Sequence, residues 1–180
     1  MTGKVYLVGA GPGALDLLTL RAARLLAEAD CVFHDALIHP DMLALAPHAH
    51  LFSVGKRCGG PSTAQQVIDQ QLVDAARHYQ RIVRLKGGDP MLFSRAQEEI
   101  DALTAAGIEF EVIPGVTAAS GAAAELRCPL TRRTLGRTLL LATPRVAKDA
   151  PDSEWVKAVL ASDSAALYMA GDALAWVSEQ

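Results

Sequence analysis

Apolar and polar positions follow two periods along this chain. Short, nearly continuous apolar runs at 4–9, 31–34, 51–54, 81–86 and 109–113 are separated by segments whose apolar residues recur every three or four positions. The runs read as strands buried on both faces, and the periodic segments as amphipathic helices. Helices are predicted over 18–29, 40–46, 63–79 and 95–106. Thr19 supplies an N-cap for the first and Pro40 opens the second. Thr63, with Gln66 three residues on, marks the start of the third. Strands alternating with helices predict an α/β fold with a mainly parallel sheet covered on both faces.

Beyond Pro114-Gly115-Val116, the nearest thing to a linker, the grammar repeats: helix 117–126, strand 138–142, helix 153–160, strand 165–169, helix 172–178. A sheet of two or three strands buries its faces poorly. The expectation is two α/β domains, 1–115 with a five-stranded parallel sheet and 116–180 as the start of a second. That second domain is either incomplete or covered by a partner chain.

At 180 residues and 51% apolar, the chain fits one large domain, or one domain and part of another. No apolar run reaches the ~18–20 residues of a membrane span, and no basic-then-apolar leader opens the chain. A cytoplasmic protein off the membrane is expected. The three cysteines, Cys31, Cys58 and Cys128, form no CxxC pair, so neither a disulfide framework nor a zinc site is expected. Cys31 reads as a small core residue. None of the five histidines has metal-ligand spacing, and His48 and His50 read as a polar loop, so no metal is assigned. A net charge of −3 leaves no nucleic-acid footprint. Between 127 and 148, however, stand Arg127, Arg132, Arg133, Arg137, Arg145 and Lys148 without one acid. Such a strip attracts an anion, since guanidinium groups pair bidentately with carboxylates and phosphates, or is a solvated surface.

Two strands end in glycine turns. The first is Val8-Gly-Ala-Gly-Pro-Gly13 and the second Arg84-Leu-Lys-Gly-Gly-Asp-Pro90. Each stops a buried strand at residues that take positive φ or let a ligand approach the backbone. Two such turns in one domain can share a ligand at the carboxyl edge of a parallel sheet. Each also holds a proline where a phosphate cradle would want N–H groups. The rival reading is an NAD-dependent oxidoreductase: Gly9-x-Gly11-x-x-Ala14 follows a strand and precedes a helix, and Asp35, ending the next strand, would hold the ribose. Against it, Pro12 removes an amide from the turn, residues 14–18 delay the helix, and the second turn has no role.

With these motifs assembled, the chain resembles the tetrapyrrole methylases. The resemblance is carried by VYLVGAGPG (5–13), DLLTLRA (16–22), FHDALI (33–38), VGKRCGG (54–60), VRLKGGDP (83–90), VIPGVTAAS (112–120), PLT (129–131) and LYMA (167–170). Within the family, the Gly55-Lys56-Arg57 loop and the Asp35 segment are nearest to the branch acting on uroporphyrinogen III.

The resemblance implies S-adenosyl-L-methionine as cofactor and S-adenosyl-L-homocysteine as product, held between two α/β halves against Pro12 and against Gly87, Gly88 and Asp89. Leu92, Thr117, Ala118 and Met169 match positions lining the adenosyl pocket. Asp35 is the implied proton acceptor, and Lys56 the implied proton donor or substrate contact. The implied reaction is C-methylation of uroporphyrinogen III at C2 and C7 to precorrin-2, by a homodimer. The substrate is a small polycarboxylate, so Arg57, Arg95, Arg132, Arg133 and Arg145 are substrate-side candidates from charge and position. Plainer readings stand beside these: Pro12, Gly87 and Gly88 as turn residues, Asp35 as a strand-end cap, Lys56 as a solvated charge, Met169 as core.

The chain departs from the family pattern in three places. Phe93-Ser-Arg-Ala-Gln-Glu98 replaces a glycine-rich stretch and reads as bulkier and more helical. Arg132-Arg133 stands where a histidine is common, and Thr143-Pro-Arg-Val146 replaces a threonine-glycine-histidine. Family members also continue further, which implies that a portion completing the second sheet and adding a cofactor contact is absent. Another tetrapyrrole methylase, or a non-catalytic remnant binding S-adenosylhomocysteine, therefore stays open beside the enzyme reading.

Overall fold

The computed structural model describes residues 2–55, 65–133, 136–144 and 154–171. Two compact units divide the chain, Met1–Ala118 and Ala119–Gln180. The first contains β1 (Lys4–Gly9), α1 (Leu20–Ala27), β2 (Cys31–His34), α2 (Pro40–Leu43), β3 (His50–Ser53), α3 (Gln65–Ala75), β4 (Arg81–Lys86), α4 (Ala96–Ala105) and β5 (Phe110–Ile113). Its five strands are all parallel, in the order β3-β2-β4-β1-β5.

The apolar runs explain why β1 and β4 are central. Val5, Leu7, Val8, Ile82, Val83 and Leu85 are all wholly buried. Side chains alternate across the sheet, so Val8, Val83 and Leu85 pack with Ala22 and Leu26 of α1 and Met42 of α2. Val5, Leu7 and Ile82 meet Ile68 and Leu72 of α3 and Leu103 of α4 on the other face. Cys31 is buried there as a core residue, and burial pushes its thiol up to about 12. Asp30 fixes the entry to β4: its carboxylate accepts from the amides of Gln80 (2.9 Å) and Arg81 (2.8 Å).

The Thr19 hydroxyl accepts from the Ala22 amide at 3.1 Å, which confirms the predicted cap. The helix starts at Leu20 rather than 18, because Leu15–Leu17 form a separate 3-10 turn. The second helix is shorter than 40–46; His39 caps it through Nδ1, which accepts from the Asp41 amide at 3.3 Å. His50 is not a loop residue. It opens the edge strand β3, its ring 5.8 Å from that of Tyr79. Thr63 lies outside the described residues.

The second unit contains α5 (Ala118–Glu125, its first residue belonging to the first unit), β6 (Leu139–Ala142), α6 (Trp155–Leu160) and β7 (Ser164–Leu167). β6 and β7 pair in parallel, Leu139 opposite Ser164. Asp163 ties their starts together: its carboxylate accepts from the amides of Arg137 and Thr138 (both 2.9 Å) and from the Thr138 hydroxyl (2.8 Å). These bonds hold its pKa below the usual carboxylate value, the Thr138 hydroxyl foremost. The predicted strand 165–169 runs one residue earlier and stops at Leu167, before Met169 turns left-handed at φ 56°. The helix expected over 172–178 lies outside the described residues. Among the described residues, no helix is long and apolar enough to cross a membrane.

Candidate functional site

The strand order brings the two glycine turns together. β4 lies directly beside β1, so both turns emerge at the same carboxyl edge, and Gly11 and Gly88 bridge them. The Gly11 amide donates to the Gly88 carbonyl at 3.1 Å, and the Gly88 amide donates back at 2.8 Å. Gly11 (φ 73°) and Gly88 (φ 67°) both adopt the left-handed conformation that side chains resist. A third turn, Pro114-Gly115 after β5, closes on this pair. The Asp89 carboxylate accepts from the Gly115 amide at 2.9 Å and from the Met91 amide at 2.8 Å. A Cβ built at Gly115 would lie 2.2 Å from the Gly88 oxygen and 2.9 Å from the Gly9 Cα. By contrast, a Cβ at Gly13 or Gly87 meets nothing within 4 Å. The turns are thus packed backbone to backbone on one side and open on the other.

Beside the turns lies a charged cluster that the sequence reading missed. Arg84 and Lys86 alternate with apolar residues in β4, so both point to the α4 face, where Glu99 meets them. Arg84 Nε donates to Glu99 Oε1 at 2.9 Å, and Lys86 Nζ to Glu99 Oε2 at 2.8 Å. Arg84 Nη2 reaches Asp35 Oδ1 at 2.6 Å, and Nη1 donates to the Leu85 carbonyl at 3.2 Å. The side chains of Arg84, Lys86 and Glu99 are 4%, 2% and 0% exposed, whereas that of Asp35 is 35% exposed. Burial works against the Arg84 charge, but the Asp35 and Glu99 carboxylates outweigh it and raise the pKa. For Lys86, burial first and then repulsion from Arg84 win over Glu99, and the pKa falls below its usual value. The available signal was two cations at alternate positions of the buried stretch 82–86.

Asp35 follows β2, its amide donating to the Leu85 carbonyl at 3.3 Å and its carboxylate pairing with Arg84. Gly55 packs tightly against this segment: a Cβ there would lie 2.0 Å from the Ala36 nitrogen. Lys56, Arg57 and Arg145 lie outside the described residues. Pro12 and Gly87 are exposed, Gly88 and Asp89 half-buried. Leu92 is half-buried, its amide donating to the Asp89 carbonyl at 3.3 Å. Thr117 is half-buried and Ala118 exposed; the Ala118 nitrogen is 4.0 Å from a Cβ built at Gly88.

Arg95 does not start the helix predicted over 95–106; it N-caps α4 in the left-handed region (φ 59°). Its guanidinium pairs with Glu98, Nη2 to Oε1 at 2.6 Å. Phe93 is also left-handed (φ 50°), so the stretch replacing a glycine-rich segment keeps a backbone suited to glycine. In the second unit, Arg132 bridges to Gly136 and Arg133 is exposed. Met169, at 50% exposure, is not core.

The oxidoreductase alternative fails on topology. In the dinucleotide fold the strand bearing the ribose acid is the immediate neighbour of the glycine-turn strand. Here β4 stands between β1 and β2, which moves Asp35 one further strand spacing, about 4.8 Å, from the first turn. Its carboxylate, moreover, is held by Arg84.

Residues 4–180 match the family of tetrapyrrole (corrin/porphyrin) methylases. The chain belongs to this family. It is similar to a siroheme synthase of Pseudomonas fluorescens (strain Pf0-1), 46% identical over 180 residues that make up 99% of this chain and 39% of that protein. It is 43% identical to a uroporphyrinogen-III C-methyltransferase of Cyanidium caldarium, over 92% of this chain and 67% of that protein. The chain therefore spans about two fifths of the siroheme synthases it matches (39%). Among solved structures, uroporphyrin-III C-methyltransferase from Thermus thermophilus, complexed with S-adenosylhomocysteine, aligns with a TM-score of 0.82 and 36% identity, covering 98% of this chain and 70% of that one. A cobalt precorrin-4 methyltransferase aligns with a TM-score of 0.85 and 27% identity, covering 98% and 72%. These methylases share the α/β architecture of the chain.

Proposed function

We propose that this methylase chain carries out S-adenosylmethionine-dependent C-methylation of uroporphyrinogen III, at C2 and C7, to give precorrin-2 for siroheme and cobalamin formation. The observation that carries the reading is the Gly11–Gly88 bridge, two joined turns with an open backbone face, in a chain 36% identical to a methyltransferase solved with S-adenosylhomocysteine.

The residues present fit such a cofactor. Gly87 carries no side chain on the open face, and Leu92 offers an apolar surface nearby. Each Asp89 oxygen accepts one amide, and a carboxylate has about four lone-pair sites, so capacity remains for a cation or hydroxyl. Pro12, Gly87, Gly88, Asp89, Leu92, Thr117 and Ala118 are the residues we assign to holding it, and Met169 keeps the assignment that family likeness gives it. The cofactor supplies an electrophilic methyl group carried on a sulfonium.

The chain's own part is position and proton management. A pyrrole nitrogen makes the substrate carbon electron-rich, so alignment of carbon, methyl and sulfur does most of the work. The methylated ring must then lose a proton, and we assign Asp35, partly exposed and paired with Arg84, as the acceptor. Lys56 is assigned as donor or substrate contact. Arg57, Arg95, Arg132, Arg133 and Arg145 are assigned to the substrate carboxylates. A cytoplasmic homodimer completes the proposal.

Calorimetric titration with S-adenosylhomocysteine, with NADH in parallel, tests the cofactor assignment. Micromolar binding of S-adenosylhomocysteine alone is expected. Binding of NADH alone, or of neither, contradicts it.

A further inference from the structure

We infer that Arg84 is a positioning residue that acts through Asp35, and that the buried Arg84–Glu99–Lys86 cluster exists to hold this one carboxylate in place. The inference rests on Asp35 as the proton acceptor of the proposed reaction.

Four charges meet in one chain of contacts, Asp35–Arg84–Glu99–Lys86. Two carboxylates balance two cations, so the set is neutral as a whole. Three members are almost wholly enclosed, and Asp35 is the one whose side chain reaches the surface. Buried ion pairs are a poor source of stability, since well-packed apolar residues of similar volume often do as well or better. A central strand that spends two of its six positions on buried cations therefore needs a different reason. The reason lies at the exposed end of the chain of contacts.

The geometry of Arg84 is that of a fixed fork. All three guanidinium nitrogens are engaged, Nε with Glu99, Nη1 with the Leu85 carbonyl and Nη2 with Asp35. With its plane set by the first two partners, the third N–H aims at Asp35 Oδ1 in one direction. Lys86 occupies the other Glu99 oxygen, so Glu99 cannot swing away. The backbone adds a second restraint, because the Asp35 amide donates to the Leu85 carbonyl, the same oxygen that accepts from Nη1. Asp35 is thus tied to β4 by main chain and side chain together. Glu99 also stands in the first turn of α4, whose cap is Arg95, so the same guanidinium steadies the helix carrying a substrate-side candidate.

A lysine at 84 keeps the charge but has one nitrogen, and cannot fix Asp35 and Glu99 at once. The test is a double-mutant cycle on the full chain: wild type, Asp35→Asn, Arg84→Lys and the double variant. Methyl transfer from S-adenosylmethionine to uroporphyrinogen III gives kcat and KM, and calorimetry gives the S-adenosylhomocysteine Kd. Arg84→Lys should lower kcat by about 10²-fold, the scale of a misplaced reacting group. KM and Kd for the cofactor should stay near wild type, and the loss should nearly vanish when Asp35 is already Asn. If the two losses multiply, Arg84 does not act through Asp35, and the inference is overturned while Asp35 keeps its role. Wild-type kcat in Asp35→Asn sinks the proton-acceptor reading itself and this inference with it. A charge-balanced variant, Arg84→Gln with Glu99→Gln, repeats the cycle if Arg84→Lys does not fold. Failure of both to fold assigns Arg84 to the fold and also overturns the inference.

Discussion

Gly115→Ala is expected to part the three turns and abolish S-adenosylhomocysteine binding. The added methyl would stand 2.2 Å from the Gly88 carbonyl oxygen and 2.9 Å from the Gly9 Cα, both backbone atoms without a rotamer to retreat into. Relief requires the Pro114-Gly115 turn to lift. That movement stretches the 2.9 Å bond from the Gly115 amide to Asp89, the one side-chain contact joining the second and third turns that the described residues show. Overpacking of this kind costs about 1–3 kcal/mol. The cost falls on the Gly9–Gly88–Gly115 junction, so binding suffers more than the fold. Gly87→Ala is the control, since its methyl meets nothing within 4 Å of the protein. It should leave the unfolding midpoint unchanged, and any loss of affinity it causes reports a ligand lying against that face. Calorimetry and denaturant unfolding on both variants separate the two effects. Wild-type affinity in Gly115→Ala would contradict the assignment of the joined turns to the cofactor.

Glu99→Leu is expected to destabilise the first unit by about 3–5 kcal/mol, the cost of leaving buried charge without its partner. Arg84 retains Asp35, but Lys86 loses the one carboxylate that bonds it among the described residues. Lys86 has an escape that Arg84 lacks. Burial and Arg84 already hold its pKa below 10.5, and removing Glu99 takes away an attraction that had raised it. The folded variant therefore sheds the Lys86 proton at lower pH than the unfolded chain does. Between that lowered value and 10.5 the unfolded state binds more protons, so stability rises with pH across the window. Urea midpoints of Glu99→Leu should climb toward wild type as the pH approaches 10.5. A flat difference across that range would show that the cost is packing rather than charge.

The sheet was legible where its signals are local. Parallel strands buried on both faces produce continuous apolar runs, and the runs at 4–9 and 81–86 match β1 and β4 residue for residue. Thr19 was legible as a cap because its partner is three residues away. Strand order was not, because placing β4 between β1 and β2 depends on pairings across more than forty residues, such as Val32 with Val83. That order rules out the ribose role that the rival reading gave Asp35 and sets its carboxylate beside Arg84. The glycine turns were visible, yet their contact with Gly115 was not, since it needs β5 on the far side of β1. Arg84 and Lys86 stood out as charges in an apolar run, but their meaning came only with the phase of α4 that turns Glu99 inward. The helix start at 95 was missed because Arg95 takes φ 59°, a conformation that arginine seldom adopts. Lys56 was named from family likeness and Arg57 and Arg145 from charge and position, and all three lie outside the described residues.

The most direct measurement is transfer of labelled methyl from S-adenosylmethionine to uroporphyrinogen III by the chain, followed as label in the tetrapyrrole with and without Asp35→Asn. Label incorporated by wild type as two methyls per ring, and slowed by about 10²-fold or more in the variant, is the expected result. S-adenosylhomocysteine binding without transfer to the tetrapyrrole would contradict the catalytic assignment and leave a cofactor-binding chain that does not methylate this substrate.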